Sequence, residues 1–208
     1  MLAENRISKI KQLLNKKTES QSMPTRPFFW KPAKLIQRIS AVKNTQNWLT
    51  TKGSLTTQLR QLCPELEVVI LSEKLERPLA NEAQSLGLQP SEPAWIRCVL
   101  LQGGAENWVY ARTVIPHFLE SNPWFHLQQL GNKPLGEVLF QDSAIQRTPF
   151  TFARHPLTNW PYLPLSSDQE SKVVGYARRS VFTQQQAPLL LTEVFLPSLL
   201  KEGYSCRT

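Results

Sequence analysis

The sequence predicts an α+β domain: a mainly antiparallel β-sheet with helices packed on one face. Three observations carry this expectation. Several runs are rich in Val, Ile and Leu, two pairs of them are joined by tight turns, and short helical signals lie between and before them. Taken in order, Ser54 can cap a short helix carrying Leu55, Leu59 and Leu62 that stops before Pro64. The first strand runs from Glu67 to Leu75. Ala94 to Gln102 and Asn107 to Pro116 flank Gly103-Gly104-Ala105-Glu106 and form a hairpin. Short helices follow around Trp124 to Leu130, with Gly131 as C-cap, and around Leu135 to Phe140. Ile145 to Ala153 reads as a strand, and the proline-rich, polar stretch His155 to Glu170 as an inserted loop. Val173 to Phe182 and Leu189 to Leu196 form the last hairpin around Gln184-Gln185-Gln186-Ala187, and no internal repeat is present. Ahead of all this, Leu35, Ile36 and Ile39 suggest a helix after Pro32. Ile7, Ile10, Leu13 and Leu14 suggest a basic amphipathic helix over residues 5–17, and Thr18 to Pro27 reads as a linker. The expected organisation is a basic extension over 1–25 followed by one domain over 26–208.

Bulk composition narrows the function classes. With 208 residues, 41% of them hydrophobic, the chain can bury one core of ordinary domain size. No apolar run reaches the length of a membrane span, and the opening residues lack the apolar region of a secretory signal, so a cytoplasmic protein is expected. Cys63, Cys98 and Cys206 are scattered and odd in number, which predicts reduced thiols. His117, His126 and His155 share no ligand spacing with one another or with a cysteine, so no metal site is expected. The net charge of +8 is unevenly placed: residues 1–52 hold eleven Lys/Arg against two Glu, while residues 53–208 are near neutral. The basic charge therefore belongs to the leader, which can touch an anionic membrane surface weakly. The near-neutral domain gives no nucleic-acid footprint, and a monomer is expected.

Charged residues stand where strands should be apolar. Alternation puts Arg97 on the face of Trp95, Val99 and Leu101, and Glu193 on the face of Leu189, Leu191 and Phe195. Such a charge must be paired or must serve a ligand, because uncompensated burial costs several kcal/mol. The faces can instead meet solvent, or Arg97 and Glu193 can pair with each other. Of Arg178 and Arg179, one should point inward, since Arg179 shares a face with Ala177 and Val181, and Arg178 with Tyr176 and Ser180. Arg112, between Tyr110 and Val114 on its face, poses the same question.

Trp95-Ile96-Arg97, Arg112-Thr113-Val114-Ile115-Pro116, Leu130-Gly131-Asn132-Lys133-Pro134-Leu135-Gly136 and Leu189 to Pro197 resemble the consecutive motifs of bacterial chorismate pyruvate-lyases, and Arg178-Arg179-Ser180 matches a further short motif. Each motif is weak alone; their order and spacing from about Trp48 to Pro197 are specific. The resemblance implies a sheet with helices closing over a buried ligand pocket. It implies that Arg97, with the backbone N–H groups of Leu55 and Leu135, holds a ring carboxylate, and that Glu193 faces the 4-hydroxyl at the far end of the ring. Leu55 stands where better-known members carry another apolar residue, which changes the pocket wall. The implied reaction splits chorismate into 4-hydroxybenzoate and pyruvate for a quinone head group, with no metal or organic cofactor. Glu193 can act in it as base, as acid, or only as an orienting group. A second cation should meet the enolpyruvyl carboxylate, and Arg179 or Arg178 is the candidate. A product enclosed in a dry pocket should leave slowly and inhibit. The alternative is a small-molecule-sensing domain of the same fold without catalysis, as in some transcription regulators. Residues 1–47 are too short for the winged helix such regulators carry.

Overall fold

The computed structural model describes residues 28–140, 142–165 and 173–201. The amphipathic helix expected over 5–17, the linker expected over 18–27 and the end of the proline-rich stretch lie outside the described residues. The apolar runs supply β1 (Lys31–Pro32), β2 (Glu67–Glu76), β3 (Ala94–Gly103), β4 (Glu106–Pro116), β5 (Gln146–Arg147), β6 (Thr151–Pro156), β7 (Val174–Gln184) and β8 (Ala187–Phe195). They form one antiparallel sheet in the order β1-β6-β7-β8-β4-β3-β2, with β5 pairing the far end of β7. Both expected hairpins are present. The β7–β8 turn places Gln185 and Gln186 at φ 48° and 66°, a left-handed pair made without glycine. The single strand expected over Ile145 to Ala153 is two, β5 and β6, because the chain leaves the sheet around Pro149.

The helices are α1 (Lys43–Thr50), α2 (Leu55–Leu62), α3 (Ala80–Leu86), α4 (Leu135–Leu139) and α5 (Pro197–Leu200), with 3-10 turns at Ala33–Arg38, Phe125–Gln129 and Leu157–Asn159. Ser54 caps α2 as its sequence predicts, its hydroxyl accepting the Thr57 N–H at 3.3 Å. None of the other four helices has such a side-chain cap at its N-cap residue. The N-caps of α1 and α3 are Val42 and Leu79, neither with a side-chain cap of its own. In α3 the cap comes from within the helix: the Glu82 carboxylate accepts the Leu79 N–H at 2.9 Å.

Side-chain alternation divides the core into two faces. One carries Val99, Leu101, Val109, Phe195 and, further along, Trp95, Ile115, Leu189 and Leu191. The Leu49 side chain of α1, Leu55 and Leu59 of α2 and Leu139 of α4 pack against it. The other face carries Ile96, Cys98, Leu100, Tyr110, Val114 and Val194, and it too is covered: by Ala83 of α3 and by Leu157, Trp160 and Leu163. These last three belong to the stretch expected to be a loop. The start of that stretch is β6 strand, and residues 157–163 fold back onto the sheet. Gly175 of β7 permits this, since a Cβ there would stand 2.7 Å from both Leu157 and Val194.

Arg112 lies on this second face, 1% exposed. Its fork meets both Glu82 oxygens, at 2.8 and 3.1 Å, with Glu76 at 3.4 Å and the Cys98 sulfur at 3.2 Å. Burial pushes the Cys98 thiol up, and Cys98 is free. Cys63 is disulfide-bonded, so the expectation of reduced thiols fails at that position. Among the described residues no helix is long and apolar enough to cross a membrane. Glu82→Gln leaves the buried Arg112 charge short of its main partner and is expected to cost about 3 kcal/mol of stability in urea denaturation, where ordinary surface changes stay within about 0.5 kcal/mol.

Candidate functional site

On the first face, β3 presents Arg97 and β8 presents Glu193. Arg97 is 3% exposed although it sits in an apolar strand. Its register partners are Glu73 on β2 and Thr113 on β4. One Nη donates to the Glu73 carboxylate and the other to the Gly131 carbonyl. Glu73 reaches this face through an irregularity. Strict alternation along β2 would put Val68 and Glu73 on opposite faces, but the register slips between Ile70 and Ser72. The bulge reverses the phase, so both residues face the same side as Arg97.

Glu193 pairs in register with Ala111 on β4 and Arg178 on β7. Its carboxylate accepts the Arg178 Nε–H at 2.6 Å. Nη1 of Arg178 serves the chain before α2, donating to the carbonyls of Trp48 at 3.3 Å and Thr51 at 2.8 Å. Arg97 and Glu193 therefore do not pair with each other. Two strand spacings separate them laterally, about 10 Å, and the register sets them two residues, about 7 Å, apart along the strands.

A cavity of about 40 Å³ lies in that gap. Arg97 and Glu193 both line it, over an apolar floor that includes Val99, Leu101, Ala111 and Leu191. Its roof is the N-terminal turns of α2 and α4, contributing Leu55 and Thr56, and Leu135 and Gly136, with Lys133, Pro134 and Phe140. First-turn amides of a helix have no intrahelical acceptor, so Leu55 and Leu135 each bring an N–H able to meet an anion. Gly136 lets the two turns approach: a Cβ there would stand 3.2 Å from Ser54 Oγ and 3.3 Å from Thr56 Oγ1. A mostly apolar cavity with one guanidinium and one carboxylate at separate ends suits a small ring bearing an acid at one end and a hydroxyl at the other.

Of the residues singled out in the sequence, Arg97, Glu193, Leu55 and Leu135 meet at this cavity. Arg178 stands behind Glu193. Arg179 does not join them, and its candidacy as a second anchor is corrected: one step along β7 turns it to the other face, where it donates to Asn81 Oδ1 at 2.8 Å and lies 4.1 Å from the Trp30 ring. Burial there lowers its pKa to about 10. Reasoning from sequence missed Glu73, Thr113 and Lys133 at the cavity and its edge. Thr113 was visible by alternation, two residues from Ala111 and Ile115; Glu73 was hidden by the bulge. Among the described residues no cluster of three or more His, Cys, Asp or Glu is placed to hold a metal ion.

Because Arg178 ties Glu193 to the segment entering α2, Arg178→Gln is expected to lower stability by about 3 kcal/mol and to raise amide exchange over residues 48–55. Hydrogen-exchange mass spectrometry distinguishes this from a purely local effect.

Known proteins resemble this chain in sequence. The family model described as chorismate lyase matches residues 24–203. A protein of Hydrogenovibrio crunogenus named "Probable chorismate pyruvate-lyase" is 47% identical over 171 residues, covering 82% of this chain and 91% of that protein. One of the same name from Aromatoleum aromaticum is 37% identical over 157 residues, covering 74% of this chain and 85% of that protein. Among solved structures, the PhnF C-terminal domain aligns with a TM-score of 0.48 at 11% identity, over 67% of this chain and 87% of that one, too distant to carry weight here. On the family match and the relatives' identity, this chain belongs to the chorismate lyase family.

Proposed function

We propose that this protein converts chorismate to 4-hydroxybenzoate and pyruvate, the product serving as a quinone head-group precursor. The observation that carries the reading is the placement of Arg97 and Glu193 at separate ends of one apolar cavity. Arg97 receives the ring carboxylate with donors of its fork left over from Glu73 and Gly131, assisted by the first-turn amides of Leu55 and Leu135. Glu193, held by Arg178, accepts a hydrogen bond from the 4-hydroxyl. In the reaction the ether bond between the ring and the enolpyruvyl oxygen breaks. The hydrogen on the carbon bearing the 4-hydroxyl is lost, the ring becomes aromatic, and the departing enol gains a proton on its methylene carbon to become pyruvate. Aromatisation drives the step, so the main demand on the protein is to orient the substrate and exclude water. No residue among these is required as a strong acid.

Incubation of the purified protein with chorismate, with EDTA present, should raise 4-hydroxybenzoate absorbance with equimolar pyruvate. Unchanged chorismate would overturn the proposal. Tight chorismate binding without turnover would favour the sensing function instead. Arg97→Ala is expected to raise KM and weaken 4-hydroxybenzoate binding by about ten- to a hundredfold, the loss of a charge-assisted pair. Glu193→Gln is expected to lower kcat by about tenfold or more and also to lower the thermal midpoint, since the buried Arg178 loses its carboxylate; steady-state kinetics at a temperature where calorimetry shows the variant folded checks the loss of turnover.

A further inference from the structure

The reading above requires a substrate with two carboxylates, and Arg97 with the two helix termini accounts for one. In chorismate the enolpyruvyl ether is attached to the carbon next to the one bearing the 4-hydroxyl. Its carboxylate must therefore lie at the Glu193 end of the cavity. Arg178 is there, but its Nε is on Glu193 and its Nη1 on backbone carbonyls. Arg179 is on the other face.

Arg147 is different. It ends the two-residue strand β5, paired in register with Phe182 of β7. Its guanidinium carbon lies 4.4 Å from the Phe150 ring centroid, 5.7 Å from Phe140 and 5.9 Å from Phe182. Phe140 is a wall of the cavity. Phe150 also carries Arg178, at 4.5 Å, so Arg147 shares a ring with the cation that holds Glu193. Burial and then the neighbouring Arg178 charge lower the Arg147 pKa, and Glu193 offsets part of this. No carboxylate of the described residues lies within ion-pair distance of it. Rings orient a guanidinium without consuming its N–H donors, which are left for a planar anion.

Resting on the function proposed above, we infer that Arg147 is a substrate-binding residue, which receives the enolpyruvyl carboxylate at the Glu193 end of the cavity. That carboxylate departs with pyruvate, so Arg147 contacts substrate and not 4-hydroxybenzoate.

The test compares wild type with Arg147→Met and Arg147→Lys, in steady-state kinetics with chorismate and in titration with 4-hydroxybenzoate. Arg147 is exposed, and methionine keeps the contact with the rings, so folding should be retained; circular dichroism checks it. Arg147→Met is expected to raise the KM for chorismate by about ten- to a hundredfold and to leave 4-hydroxybenzoate affinity within about twofold, with Arg147→Lys intermediate. An unchanged KM would overturn the assignment. So would an equal loss of 4-hydroxybenzoate affinity, which would make Arg147 only a prop for the rings. A defect found in Lys133→Met with Arg147→Met normal would overturn it in favour of the other cation at the cavity. If wild type neither binds nor converts chorismate, the proposed function itself has failed; if wild type converts it and Arg147→Met matches it, only this inference has.

Discussion

An arginine inside a sheet must find a carboxylate, and the buried arginines among the described residues are each arranged around one. Arg97, Arg112 and Arg178 are all at most 3% exposed, on β3, β4 and β7. Each meets a glutamate: Glu73, Glu82 and Glu193 respectively. The cost of burying those charges is what fixes register across the sheet and ties helices to it. What separates the three is what remains after pairing. Arg112 spends its fork on Glu82, Glu76 and Cys98 inside a sealed core. Arg178 spends its on Glu193 and on carbonyls before α2. Arg97 lines the cavity described above, which neither of the other two does. A buried ion pair is thus no marker of a binding site; an ion pair opening on an apolar cavity is.

Two local departures from regular geometry place that opening. The β2 bulge turns Glu73 toward Arg97 without withdrawing Val68 from the cavity. Glycine at 136 lets α4 close on the N-terminal turn of α2, so two helix termini roof one space. Neither device adds a functional group. Each brings groups from distant parts of the chain within reach of one small ligand.

This explains which parts could be read in advance. The longer strands were legible because a period of two repeats along a run, and α2 because Ser54 announces it. Arg97 and Glu193 were legible as charges breaking that period. The helix α3 was not, because its cap is made by Glu82 from inside the helix. Residues 157–163 were misread because their prolines and polar residues outnumber Leu157, Trp160 and Leu163, which do the packing. Partners were least legible. Whether Arg97 meets Glu73 or Glu193, and which of Arg178 and Arg179 faces inward, depends on cross-strand register and on a one-residue bulge, which local patterns do not encode.

On the proposed function, Arg97 and Glu193 grip the ring carboxylate and the 4-hydroxyl, groups that chorismate and 4-hydroxybenzoate have in common. Contacts made equally to substrate and product lower KM without favouring the reaction, and they slow product departure from an enclosed apolar cavity. Selection for the substrate must then come from a group that meets only the part to be lost. That part is an anion at the Glu193 end, where Arg178 has no idle donors on Nε or Nη1 and Arg147 rests on three rings with no carboxylate of the described residues within ion-pair distance. On that reading the division of labour follows from position: the buried Arg97 anchors what stays, and the exposed Arg147 meets what leaves.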